Sequence, residues 1–139
     1  MEQTDKDAIK SVLIVGYGSM GRGIVSSFSA AGFDTTVLTR DPTKITDLPQ
    51  RASALQQLPK TSPDLIIEAI PEKMALKESL LERLERAYGD IPILASNTSS
   101  LPLNQMADRL KYPERFIGVH YMHPAESLPM VEVILVFQT

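Results

Sequence analysis

The sequence predicts a doubly wound α/β domain built on a mostly parallel sheet, and three observations carry that prediction. Six short apolar runs alternate with helical or turn-rich stretches, which is the rhythm of repeated strand–helix–strand units. Most of the runs lack polar alternation, so they read as strands covered on both faces. Three glycines stand where the first run gives way to the first helical stretch. With 139 residues, 43% hydrophobic and 22% charged, the chain can bury a real core within one domain. Residues 1–10 read as a polar tail and residues 11–139 as that domain.

"SVLIV" (11–15) is the first expected strand. A helix should begin near Ser19, carry Met20, Ile24, Val25 and Phe28 inward, and stop at Gly32. "TTVLT" (35–39) follows as the second strand. The connection from Arg40 to Pro63 holds Pro42, Pro49, Pro59 and Pro63, too many for a long helix. "DLIIEA" (64–69) is the third strand. In "KMALKESLLERLERAY", Leu76, Leu80, Leu84 and Tyr88 recur every four residues, Glu and Lys fill the other face, and Gly89 stands at C′, so a helix is expected from about Glu72 to Tyr88. "IPILAS" (91–96), "RFIGVH" (115–120) and "VEVILVF" (131–137) complete the six strands. No repeat or low-complexity segment interrupts them.

Composition excludes several classes of function. A formal charge of -3, a pI near 5.4 and no Lys/Arg stripe on any expected helix argue against nucleic-acid binding. With no cysteine there is no disulfide, thiolate chemistry or cysteine-based zinc site, which fits a reducing compartment. The N-terminus "MEQTDKDA" is too polar for a signal peptide core, and "VEVILVF" is too short to span a bilayer. A soluble, cytoplasmic protein is expected.

The glycines carry the first chemistry. Gly16, Gly18 and Gly21 form G-x-G-x-x-G directly after a strand and at the start of a helix. Gly16 permits the tight turn, Gly18 lets backbone approach a pyrophosphate, and Gly21 lets helix and strand pack closely. The helix N-terminus at Ser19 and Met20 would then face the phosphates. A glycine-rich turn without a ligand is the alternative, but the register of strand, glycines and helix favours a Rossmann-type dinucleotide site. At the end of the second strand such sites place an acid that binds ribose hydroxyls, and here Thr39-Arg40 stands instead. A guanidinium there can pair with a 2′-phosphate, which favours NADP over NAD. Asp41 offers the competing reading, pairing with Arg40 or taking over the acid's role.

Downstream, "IIEAIPEKMALKESLLERL", "ILASNTSSLPL" and "RFIGVHYMHPAESLPMVEVI" follow in an order and spacing that resembles the NAD-binding domain of the 3-hydroxyacyl-CoA dehydrogenase family, from about Ser11 to Ile134. The resemblance implies a dehydrogenase of fatty acid metabolism that moves hydride between a nicotinamide and a 3-hydroxy substrate. It also implies that Glu72 and Lys77 lie along the cofactor, that Ser99 bonds the substrate's oxygen, that His120 is the catalytic base, and that Glu132 orients it. The chemistry agrees: alcohol oxidation needs a base that titrates near neutral pH, and a carboxylate partner holds the imidazole tautomer. Taken singly, a strand-end histidine or a polar "SNTSS" turn is more often structural; behind a dinucleotide loop they form a set.

Three features depart from the family pattern. His123 stands where the family has an asparagine touching the cofactor. The proline-rich connection replaces the family's longer helical arm that contacts CoA, which suits a smaller substrate, as in reductases of β-hydroxy acids. The chain stops at Thr139, short of the family's helical domain, which closes the site and makes the dimer. That leaves two expectations: half of a two-domain dehydrogenase, weak or inactive alone and partnered by a separate helical domain or a second copy, or a non-catalytic NADP(H)-binding module. A metal reading of His120 and His123 is poor, because a third ligand is missing and Pro124 keeps the chain extended.

Overall fold

The computed structural model describes residues 8–122 and 131–136. One sheet of seven strands runs in the order β3-β2-β1-β4-β5-β6-β7. The strands are β1 (Ser11–Val15), β2 (Asp34–Leu38), β3 (Ala52–Leu55), β4 (Leu65–Glu68), β5 (Ile93–Ser96), β6 (Phe116–Tyr121) and β7 (Val131–Leu135). Neighbours pair in parallel as far as β6, and β7 joins antiparallel with His120 opposite Glu132. Between them lie α1 (Ser19–Ala30), α2 (Met74–Tyr88) and α3 (Leu103–Asp108). Among the described residues no helix is long and apolar enough to cross a membrane.

The expected doubly wound arrangement is present, and the alternation along β1 explains it. Leu13 and Val15 belong to one core with Leu81, Leu84 and Tyr88 of α2 and Met106 and Ala107 of α3. Val12 and Ile14 belong to the other, with Ile24 and Val25 of α1. Every β1 residue from Val12 to Val15 is thus buried, one neighbour on each face. Gly32 (φ 93) and Gly89 (φ 63) take the left-handed backbone that ends the two long helices, as expected.

Several expectations are corrected. Residues 40–63 carry no long helix, yet they supply a seventh strand, β3, which pairs with β2 on the sheet edge and alternates half-buried and exposed side chains. The helix expected from Glu72 starts at Met74, because Lys73 is still extended at φ -127 and ψ 119. Its buried stripe is Lys77, Leu81, Leu84 and Tyr88; Leu76 is 47% exposed and Leu80 only half-buried. The reason is that the first half of α2 borders a cleft, so its leucines face that cleft while the next residue in each turn faces the sheet.

Candidate functional site

The strand order reverses between β1 and β4, so their following loops diverge and leave a crevice at the carboxyl ends of the strands. A cavity of about 1220 Å³ occupies that place. Gly16, Gly18, Ser19, Met20, Thr39, Arg40, Glu72, Ser99 and His120 line it, bringing together most of the residues picked from the sequence.

The three glycines differ in what surrounds them. A Cβ on Gly16 would lie 2.8 Å from the Ala69 carbonyl oxygen, and the residue's φ is 103. A Cβ on Gly21 would lie 2.2 Å from the Gly16 carbonyl oxygen. Both positions therefore exclude side chains because protein backbone fills the space. Gly18 has nothing within 4 Å of such a Cβ, so its bareness serves no protein contact and leaves room at the mouth of α1. No side chain caps α1, whose N-cap is Gly18. Tyr17, between the first two glycines, donates to Asp47 at 3.2 Å, and Asp47 also receives Arg22 Nη1 at 2.8 Å. The Arg22 guanidinium lies 4.9 Å from the Tyr17 ring centroid. This clasp ties the connection after β2 to the glycine loop.

At one end of the cleft Thr39 and Arg40 follow β2, Gln56 follows β3, and Leu76, Leu80 and Arg83 descend along α2. Asp41 does not line the cavity; its carboxylate accepts from Thr43 N–H at 3.1 Å and from the Thr43 hydroxyl at 2.5 Å. Among the described residues no carboxylate pairs with Arg40.

At the other end His120 and Tyr121, the last residues of β6, line the cleft together with Asn97 and Ser99. His120 Nδ1 is 3.8 Å from Glu132 Oε1, an ion-pair distance rather than a hydrogen bond, reached because the antiparallel register sets the two residues opposite. Asn97 Oδ1 accepts the Tyr121 N–H at 3.2 Å, which fastens the loop after β5 to β6 next to His120. Burial pushes the Tyr121 phenol up to about 12. A phenol held there stays protonated near neutral pH.

Lys77 is placed differently from expectation. It does not line the cavity and is fully buried, with Nζ at 2.7 and 2.6 Å from the two Glu68 carboxylate oxygens and 3.3 Å from Glu72 Oε1. Burial pulls the Glu68 carboxyl above its usual range, against the opposing pull of Lys77, the Ser96 hydroxyl and the Ile70 N–H. Partial burial also resists ionisation of Glu72, but bonds from Thr98 and Ser99, the Lys77 charge and the Ser100 hydroxyl outweigh it and hold this carboxyl below its usual range. Gly21 also lies outside the cavity lining, and His123 falls outside the described residues. Sequence reasoning missed Tyr17, Gln56, Leu76, Leu80, Arg83, Asn97 and Tyr121 as cleft residues. The exposed leucines of α2 carried a signal, since their stripe continues past the core-facing one.

Fold and cleft together define a Rossmann-type NAD-binding domain with a histidine and a serine at its open end. Residues 56–139 match the family model described as 3-hydroxyacyl-CoA dehydrogenase, NAD binding domain, and the chain belongs to that family. Residues 11–87 also match a model described as NADP oxidoreductase coenzyme F420-dependent. A probable 3-hydroxybutyryl-CoA dehydrogenase of Bacillus subtilis is 34% identical over 152 residues, covering 91% of this chain and 53% of that protein. The fatty acid oxidation complex subunit alpha of Shewanella sp. (strain W3-18-1) is 32% identical over 160 residues, 91% of this chain and 22% of that one. Among solved structures, a 3-hydroxyacyl-CoA dehydrogenase from Archaeoglobus fulgidus superposes with a TM-score of 0.79 at 29% identity, covering 89% of this chain and 46% of its own. The chain spans about half or less of these relatives' lengths.

Proposed function

We propose that the chain binds a nicotinamide dinucleotide across the carboxyl ends of β1 and β4 and forms one half of a site that oxidises a 3-hydroxy substrate or reduces the matching ketone. The observation that carries this is Gly18, a glycine with open space before it at an uncapped helix N-terminus, flanked by two glycines that backbone packing requires. The bound nicotinamide supplies the hydride acceptor. His120 takes the hydroxyl proton, and with Nδ1 turned toward Glu132 its Nε2 is the nitrogen left for substrate. Ser99 offers a hydroxyl to the same oxygen, and Glu132 favours the imidazolium once it forms. Hydroxyacyl-CoA thioesters are the substrate class named for the relatives, and the connection after β2, reduced here to a short strand, suits smaller hydroxy acids as well.

The adenosine half lies between Leu76 and Leu80 of α2 and the ends of β2 and β3, with Arg40 at the ribose. NADP(H) is preferred over NAD(H) on this reading, because Thr39 removes a repelling carboxylate, Asp41 is engaged with Thr43, and Arg40 has no partner among the described residues. The second matching model, whose description names NADP, covers this same stretch. A charge-assisted guanidinium–phosphate contact of roughly 1.5–3 kcal/mol corresponds to about a ten- to hundredfold preference.

Fluorescence titration with NADPH and NADH tests both statements. The parent binds NADPH more tightly, Thr39→Asp with Arg40→Gln reverses the order, and Gly18→Val removes binding while leaving the urea midpoint near the parent's. Binding by the Gly18 variant equal to the parent's would move the site elsewhere. Equal affinities for NADPH and NADH in the parent would remove the preference and leave the dinucleotide site standing.

A further inference from the structure

The charges of α2 are sorted by face. Glu78 and Glu82 reach Arg109 at 3.6 and 2.8 Å, and Glu85 accepts the Lys111 and Tyr112 N–H groups at 2.8 and 2.7 Å, so these three carboxylates lean toward the chain that follows α3. A separate stripe faces the cleft. It holds Leu76, Ser79, Leu80 and Arg83, spaced as i, i+3, i+4 and i+7, and its one charge is a cation. Arg83 is exposed and forms no ion pair among the described residues.

The height of Arg83 in the cleft follows from Tyr88. The Tyr88 hydroxyl donates to the Pro59 carbonyl at 2.5 Å, which pins the chain after β3 beside the last turn of α2. From that point Arg83 lies five residues back, about 7.5 Å along the helix axis, and Gln56 lies three residues back, at most about 10 Å along the chain. Both rise toward the carboxyl ends of the strands. Gln56 is level with Thr39, whose N–H donates to the Leu55 carbonyl at 2.9 Å, so Arg40 and Arg83 approach one part of the cleft from two different elements. No acid neutralises them there. Asp41 is engaged by Thr43 and Glu82 by Arg109, while Glu72, the one carboxylate in the lining, is held at the other end by Thr98, Ser99 and Ser100.

We propose that Arg40 and Arg83 together form a subsite for a phosphate monoester on an adenosine ribose, with Arg83 as a further specificity-determining residue. The inference deepens the dinucleotide reading above and rests on it. A phosphomonoester carries about −1.5 to −2 charge near neutral pH, so a single guanidinium leaves it only partly neutralised. A second completes the match. Each guanidinium fork can take two phosphate oxygens, and Leu76 and Leu80 on the same stripe as Arg83 supply an apolar wall for the purine. Two nucleotide cofactors carry such a phosphate, NADP(H) on the 2′ oxygen and coenzyme A on the 3′ oxygen.

Calorimetric titration of the parent, Arg83→Gln and Arg83→Lys tests the subsite, with NADPH, NADH, AMP, adenosine 2′,5′-bisphosphate and adenosine 3′,5′-bisphosphate as probes. Arg83→Gln is expected to weaken NADPH about tenfold while NADH, which lacks the phosphate, stays within about twofold of the parent. Arg83→Lys keeps the charge without the fork and should fall between. Urea midpoints should match the parent's, since Arg83 is exposed, and the parent's NADPH-to-NADH ratio should narrow as salt rises. The bisphosphates separate the sources: an Arg83-dependent gain over AMP for the 2′,5′ isomer assigns the subsite to NADP(H), and one for the 3′,5′ isomer assigns it to coenzyme A. If Arg83→Gln alters no phosphate-dependent preference while NADH still binds, the subsite is overturned and the dinucleotide reading stands. Loss of NADPH and NADH alike in that variant also overturns it, by making Arg83 a contact to the part the two share. A parent that binds none of the probes overturns both readings together.

Discussion

β1 and β7 are both five-residue strands of nearly the same composition, "SVLIV" and "VEVIL", and they end in opposite environments. From Val12 to Val15 β1 is at most 6% exposed, whereas Val133 and Leu135 of β7 are 61% and 62% exposed. Apolar content alone did not decide burial; position in the sheet did, since β1 lies at the centre and β7 at an edge. The two ends of the cleft inherit the contrast. The glycine loop leaves β1 packed against backbone on two sides, while the His120–Glu132 pair sits on the rim with side chains 30% and 55% exposed, where water and salt screen it. The glycine loop is thus built by close packing and the His120–Glu132 pair by register.

Substitutions can break or sharpen that contrast. The largest effect is expected for Leu13→Ala, fully buried in β1, at about 2–5 kcal/mol in urea unfolding. Leu135→Ala in β7 should cost under about 0.5 kcal/mol, and comparable losses would mean that β7 is covered after all. Next comes the glycine pair. Gly21→Ala forces a Cβ against the Gly16 carbonyl and should cost about 1–3 kcal/mol, while Gly18→Ala should stay within about 0.5 kcal/mol of the parent.

A smaller and pH-dependent effect is expected at Asp64, which accepts the Lys10 N–H at 2.8 Å and the Ser11 N–H at 3.1 Å where β1 begins. Those backbone bonds, first from Lys10 and then from Ser11, hold its carboxyl below the ordinary 3.8. A carboxyl depressed in the folded state stabilises above its unfolded value and loses that contribution as pH falls through the folded one. Asp64→Asn should therefore lower the urea midpoint at neutral pH and match the parent at strongly acid pH. A difference that persists there would assign the loss to packing. The smallest effect belongs to Glu132→Gln, whose stability should lie within about 0.5 kcal/mol of the parent's; a larger loss would show that the rim pair is structural.

The central strands and the glycine loop were legible because each is local: a run of β-branched residues between turn signals, or a glycine whose neighbour is its own loop. β3 was not, since "ASAL" is short, lies between prolines and gains its identity only by pairing with β2. The face of α2 was misread for a related reason. Leu76 and Leu80 follow the same spacing as Leu84, but only the fold reveals that the first two border a cleft. Lys77 was expected along the cofactor by resemblance and on the polar face of α2 by spacing, and neither reading placed it in the core. Its partner was visible all along as Glu68, a carboxylate within the apolar run "LIIE", where a charge requires a counter-charge. The rim pair was legible only through the spacing of the motif, because no local pattern places His120 across from Glu132.

The antiparallel pairing of β6 and β7 also governs how the sheet assembles. Every other pairing joins segments separated by a helix or a long connection, so its loop must close at a higher entropic price before any bond forms. The β6–β7 hairpin closes locally. With little apolar surface covered on β7, it should also open locally, exchanging its amides by fraying while the β1 amides wait for global unfolding. The two halves of the cleft would then differ in timescale as well as in packing, with the glycine loop persisting through many cycles in which the histidine's carboxylate partner comes and goes.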